Sequence, residues 1–343
     1  MKFLFVTWAG GGNSTPVIGL ATRLIARGHD VKVVSPDDSS TRFAAISVPY
    51  EVMPREAGAV VAAIDAAHPD VVVVDFMMPA WLSEAEASGV PCVALVHTIY
   101  AQIEAGILTA FTTLDAINTG RRELGLDAVA AAPEILDRMD RVVVTSYAGL
   151  EADTDAPANV RYVGAILEEP ATDADWRPPG TPLVVASLGT TPGLDDHVVL
   201  PNLLSAVSSL PARVLLNAGA HVDRTPLSPP DNVTMAGYIR HAAVMPHAAA
   251  VVTHGGLGVT LAALSHGVPM VAIPLGRDQP ATARRVEAIG AGLVLPVDAS
   301  PSELATAITS VLDEPQFRAA AQPFAGEYDA TASVAIDELE ALG

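Results

Sequence analysis

Two short stretches in the second half of the chain carry groups suited to holding an anion and a polyol. The first is Thr253–Gly258, THGGLG. Glycines let the backbone approach a ligand, a helix opening just after them is positive at its N-terminus, and the His254 imidazole could donate to a phosphate oxygen. A diphosphate fits that environment, although a glycine-rich turn with a backbone-bonded histidine is an equally simple reading of the loop alone. The second is Asp278-Gln279. A carboxylate that accepts and an amide that donates, side by side at the carboxyl end of a strand, can grip vicinal hydroxyls, whereas the same pair in isolation reads as a solvated turn.

A different chemistry is available in the first third. Asp75 and His97 each close an apolar run, and either could take a proton from a hydroxyl; each also reads as a buried, hydrogen-bonded structural residue. The loop Ala9–Pro16 contains Gly10, Gly11, Gly12 and Asn13. An amide cannot serve as a base, so Asn13 either orients a hydroxyl or a water, or caps the helix that opens at Pro16. The stretch Ile99–Gly120 is apolar and loosely helical. Ile103, Ile107, Leu108 and Phe111 would line a pocket for a flat or greasy ligand, or form an ordinary pair of core helices.

Positioning these groups requires strand ends. Lys2–Trp8, Val31–Ser35, Val71–Asp75, Cys92–Val96 and Val142–Thr145 read as buried strands, with helices over Pro16–Arg27 and Trp81–Ser88. Val17, Leu20 and Leu24 set the first helix and Gly28 stops it. Leu167–Pro182 is rich in Pro, Asp and Glu, has no periodicity, and reads as a linker. The alternation then restarts. Strands are expected at Leu183–Ser187, Arg213–Asn217, Val233–Met235, Ala250–Thr253, Met270–Ile273 and Leu293–Leu295. Helices are expected near Leu200–Leu210 and at Gly258–Ser265, Ala281–Ile289 and Ser302–Leu312. This pattern predicts an α/β protein with two Rossmann-like, doubly wound parallel sheets facing a central cleft. The domains run over 1–166 and 183–324, joined by 167–182, with a last helix at about 325–343 packing back on the first domain.

Composition narrows the partners. Half of the 343 residues are hydrophobic, enough for two cores, and the net charge is −20. Nucleic acids and anionic membranes need clustered Lys and Arg, so both are excluded as partners. Cys92 is the only cysteine, which rules out an internal disulfide framework and fits a reducing cytoplasm. Met1–Trp8 is too short for a secretion signal, and no apolar run reaches membrane-spanning length.

The segment Gly237–Gly292 resembles the donor-binding region of family 1 glycosyltransferases, the GT-B enzymes that include bacterial antibiotic and macrolide glycosyltransferases. The resemblance runs through Gly237-Tyr238-Ile239, His241, Pro246-His247, THGGLG, HGVPM at 266–270, PLGRDQP at 274–280 and Arg284-Arg285-Val286. A weaker likeness extends over nearly the whole chain, including Ser187-Leu188-Gly189-Thr190. It implies an inverting, metal-independent transfer of a sugar from UDP or dTDP to a hydrophobic natural-product acceptor, by a monomer or homodimer without a cofactor. His254 and the amides of Gly255, Gly256, Gly258 and Val259 would hold the diphosphate. Asp278 and Gln279 would bind the sugar, Thr190 would lie near the phosphates or sugar, and Tyr238 and Ile239 would lie along the base. Gly12, Ile103, Ile107 and Phe111 would meet the acceptor.

The chain departs from that family at three positions. Many members carry a catalytic histidine where Asn13 stands, which turns attention to Asp75 and His97 as proton acceptor, alone or as a pair. Val259 replaces the usual Ser or Thr, with Thr260 next to it, and Ala262 replaces a ribose-binding Glu, which opens the choice between UDP and dTDP. These departures motivate a second reading, a non-catalytic sugar-nucleotide-binding partner. The architecture also admits a nucleotide-sugar 2-epimerase. A nicotinamide-dependent oxidoreductase would need a G-x-G-x-x-G register that Gly10–Gly12 lacks.

Overall fold

The computed structural model describes residues 1–10, 12–151, 156–167, 182–189, 196–217, 228–237, 240–331 and 333–343, with the backbone alone at 196–198 and 329–330. The chain divides into two compact units, Met1–Ile166 with Ala330–Gly343, and Leu167–Asp329.

The first unit is built on seven parallel strands. These are β1 (Lys2–Val6), β2 (Asp30–Ser35), β3 (Tyr50–Val52), β4 (Val71–Asp75), β5 (Cys92–Val96), β6 (Arg141–Val144) and β7 (Val160–Tyr162), in the order β3-β2-β1-β4-β5-β6-β7. Side chains alternate across a strand, so β1 and β4 feed two cores. Phe3, Phe5, Val71 and Val73 enter one cluster with the helices Ser14–Ala26 and Val334–Glu340. Leu4, Val6, Val72 and Val74 enter the other, with Ala59–Ala67 and Pro79–Ser88. All eight side chains are at most 2% exposed, so both faces are covered, as a Val-rich run without polar alternation requires.

The segment expected as one closing helix is two, Pro315–Thr331 and Val334–Glu340. The second is tied to the first unit by ion pairs of Arg27 with Asp337 and Glu340, His29 with Glu340, and Arg141 and Arg161 with Glu338. Such surface pairs contribute little individually. The burial of Ala335, Ile336 and Leu339 is the larger stabilising effect.

The second unit has six parallel strands: β8 (Leu183–Ser187), β9 (Arg213–Asn217), β10 (Val233–Ala236), β11 (Ala248–Thr253), β12 (Met270–Ala272) and β13 (Gly292–Val294), in the order β10-β9-β8-β11-β12-β13. Leu200, Leu203, Leu304, Ile308 and Val311 close its core from the helices Asp196–Val207 and Pro301–Asp313. The latter helix starts at a capping box in which the Glu303 amide donates to Ser300 Oγ and the Ser300 amide donates to the Glu303 carboxylate. In each unit the strand order reverses once, between β1 and β4 and between β8 and β11. Loops leaving the carboxyl ends at such a reversal diverge and leave a crevice for a ligand. No described helix is long and apolar enough to cross a membrane.

Candidate active site

In the first unit three sequence-predicted residues meet at the carboxyl ends of β1, β4 and β5. Asp75 closes β4 and is 2% exposed. Its Oδ2 accepts from Asn13 Nδ2 at 3.0 Å and lies 3.1 Å from His97 Nε2, and its Oδ1 accepts from the Met77 amide at 3.0 Å. Burial alone would raise the Asp75 pKa. The His97 charge and the hydrogen bonds from His97, Asn13 and Met77 outweigh it and hold the group below the ordinary carboxylate value. His97 follows β5, packs edge-on against Phe76 and keeps 14% of its side chain exposed. Because a carboxylate only accepts, Nε2 carries the proton, and in the neutral ring the lone pair is on Nδ1.

Asn13 does not cap the helix Ser14–Ala26. Its side chain is buried and folds back on its own loop. Nδ2 donates to Trp8 O at 2.6 Å and to Asp75, and Oδ1 accepts from the Gly10 amide at 3.0 Å. Both amide hydrogens are committed within the protein and hold the first loop against Asp75, so any contact with an acceptor hydroxyl falls to Oδ1.

The apolar stretch after β5 is broken into short pieces at Ala101–Glu104, Ile107–Thr109 and Leu114–Glu123. Ile103 and Leu108 are buried in the core, so neither lines an open surface. Ile107 is partly buried, Gly12 is exposed, and Phe111 is 70% exposed with its ring edge-to-face on Trp8. Trp8, Met77 and Met78 are partly buried neighbours of the same core. Cys92 is buried, and burial pushes its thiol up to about 12, which leaves no thiolate for covalent catalysis.

In the second unit His254 follows β11, and Gly255 turns the chain with φ +80° into the helix Leu257–Leu264. His254 Nδ1 is 3.2 Å from Ser187 O at the end of β8. Burial pulls the His254 pKa below the ordinary imidazole value, against the opposing effects of the Ser187 carbonyl and Asp278. The Gly255 amide already donates to Thr253 Oγ1 at 3.1 Å. The first intrahelical bond runs from the Thr260 amide to Gly256 O, so the amides of Gly256, Leu257, Gly258 and Val259 are the orphan donors of the helix. The Val259 side chain is buried, and only its amide can serve a ligand. The Thr260 hydroxyl is buried without a hydrogen bond.

Asp278 and Gln279 open the helix Gln279–Ala288 beyond β12. Gln279 Oε1 accepts from the Leu275 and Gly276 amides at 2.8 and 3.1 Å, so its amide nitrogen is the group left to donate. Arg277, between Gly276 and Asp278, has φ +58°, a backbone conformation that non-glycine residues rarely adopt and that clusters at functional loops. Thr190, Tyr238 and Ile239 lie outside the described residues.

Of the remaining histidines, His266 is bonded to Ala262 O and His247 is exposed. His241 opens the short helix His241–Val244, and its Nε2 is 3.1 Å from Ser187 Oγ. Ser187 therefore meets two imidazoles, a role its type did not announce; the strand-end Ser187-Leu188-Gly189-Thr190 motif was the only signal. Among the described residues no group of three His, Cys, Asp or Glu could hold a metal ion.

Two parallel sheets that each reverse once, one ending in a carboxylate–imidazole pair and the other in a histidine–glycine turn, make up the architecture of GT-B proteins. Residues 201–339 match the erythromycin biosynthesis protein CIII-like C-terminal domain, and residues 10–152 match glycosyltransferase family 4. L-demethylnoviosyl transferase from Streptomyces niveus is 30% identical over 340 residues, covering 87% of this chain and 86% of that protein. The chain belongs to this family of actinobacterial natural-product glycosyltransferases. 4'-demethylrebeccamycin synthase from Lentzea aerocolonigenes is 35% identical over 199 residues, 55% of this chain; the match spans about half of that relative, 46% of its length. The crystal structure of glycosyltransferase VinC in complex with dTDP shares the fold, with a TM-score of 0.82 over 100% of this chain and 99% of that one, at 22% identity.

Proposed function

We propose that this chain is an inverting glycosyltransferase of the cytoplasm that moves a sugar from UDP or dTDP to a hydroxyl of a hydrophobic small-molecule acceptor, without a metal. The observation that carries the reading is the His97–Asp75 pair at the strand ends of the first unit, where the usual histidine position holds Asn13. Family membership and the solved dTDP complex of VinC support the donor class.

In this reading His97 Nδ1 accepts the proton of the acceptor hydroxyl while Asp75 stabilises the imidazolium through Nε2. The acceptor oxygen attacks the anomeric carbon, and the bond from that carbon to the diphosphate oxygen breaks. The nucleoside diphosphate leaves with the electron pair. His254 and the amides of Gly256, Leu257, Gly258 and Val259 offset its growing charge. Asp278 accepts from sugar hydroxyls and Gln279 donates to them. Thr190, Tyr238 and Ile239 complete the donor contacts by resemblance. The partly buried Trp8, Met77 and Ile107, with exposed Phe111, offer the acceptor an apolar, aromatic surface. Of the three motives for a non-catalytic role, the missing histidine weakens because His97 stands on Asp75, while Val259 and Ala262 are unaffected.

The charge-offsetting groups are an imidazole and helix amides, so glycoside formation is expected to continue in saturating EDTA. Mass spectrometry of the product checks this; a loss of turnover restored by magnesium or manganese would overturn metal independence.

A further inference from the structure

The surroundings of His254 fix which of its nitrogens carries a proton. Ser187 O, 3.2 Å from Nδ1, is a pure acceptor, so the proton is on Nδ1. In the neutral ring Nε2 is then a bare lone pair, which would meet an anionic oxygen with repulsion.

Two glycines bracket that nitrogen. A Cβ on Gly189 would stand 2.9 Å from Nε2, and one on Gly256 would stand 2.5 Å from it. Gly189 has φ +92°, which by itself favours glycine. Gly256 has φ −62° and ψ 140°, which any residue adopts. The nearest atoms that a side chain at 256 would meet all belong to the His254 ring. The imidazole tip therefore accounts for glycine at 256.

We infer that His254 takes up a proton when the donor diphosphate binds, and that Gly189 and Gly256 keep its Nε2 uncovered for that contact. The inference rests on the reading of this turn as the diphosphate site. Among the described residues, opposing charges lie near the ring before a ligand arrives. Asp278, at the start of the helix Gln279–Ala288, favours the cation. The helix Leu257–Leu264 has no acidic residue in its first turn and presents its positive end, which disfavours it. On the side of β8 the neighbour is neutral Ser187, itself bonded to His241. Exposed Arg277 lies in the loop that carries Asp278. Burial favours the neutral ring. A diphosphate adds the negative charge that reverses this balance, so the pKa rises on binding. By linkage, affinity is highest and constant below the free-state pKa. It falls by up to about tenfold per pH unit between the two pKa values and is constant and weak above the bound-state value.

The test is calorimetric titration of the intact protein with UDP-glucose and with dTDP-glucose, whose diesterified diphosphates do not titrate near neutral pH. Buffers of different ionisation enthalpy report the protons exchanged. Wild type is expected to take up a substantial fraction of one proton per nucleotide sugar bound, and His254→Gln none. Gly256→Ala, whose backbone tolerates alanine, is expected to weaken binding about tenfold or more and to lose the uptake, with an unchanged melting temperature. Binding with the same proton exchange in wild type and His254→Gln would overturn the inference and leave the diphosphate site standing. Failure of both nucleotide sugars to bind wild type would overturn the diphosphate reading and the inference with it.

Discussion

His97→Ala is expected to lower turnover about a hundred- to ten-thousandfold at saturating donor, with nucleotide binding retained, because it removes the proton acceptor. Asp75→Asn is expected to lose a comparable amount by a different route. Asp75 is buried and accepts three donors, so it has neither the access nor the basicity to take a proton from an acceptor itself. Its negative charge raises the proton affinity of His97. The substitution should therefore move the acid limb of the pH–rate profile to lower pH as well as lowering the rate. A purely structural role for Asp75 would lower activity without moving that limb. Removing His97 also leaves a buried carboxylate short of its partner, a change that can cost a few kcal/mol of stability. Melting temperature must therefore be measured beside turnover. If both variants keep most of their activity, the assignment of the base is wrong.

The second large effect is expected at His254→Ala, with turnover reduced about a hundredfold or more and the fold intact. The loss of one donor aimed at a leaving group typically has that size. Among the described residues the side chain is bonded to Ser187 O alone, so its truncation leaves little unsatisfied. Near-normal turnover would remove His254 from the mechanism.

The strands that carry the site were legible because each is a continuous apolar run bounded by Gly, Pro or a charged residue. Val71–Asp75, Cys92–Val96, Leu183–Ser187 and Arg213–Asn217 are found with the expected bounds. The edge strands Tyr50–Val52 and Val160–Tyr162 were not: three residues, partly exposed, carry too little periodicity to register. The meeting of Asp75 with His97 followed from strand ends, since residues closing adjacent parallel strands must be neighbours. The role of Asn13 did not follow. Its type suits a helix cap, and only the folded loop shows its amide turned toward Asp75. The apolar stretch after β5 misled in another way. Hydrophobicity marks Ile103 and Phe111 alike, but one side chain is in the core and the other is on the surface, and short broken helices leave no period to separate them.

Inversion is the claim on which the single-displacement account depends. It is tested by the anomeric proton coupling of the glycoside formed from an α-linked UDP- or dTDP-sugar and a hydrophobic hydroxyl acceptor, read by proton NMR beside the released nucleoside diphosphate. The account predicts a β-glycoside and one nucleoside diphosphate for each sugar transferred. An α-glycoside, or interconversion of the donor sugar with no acceptor present, would contradict it.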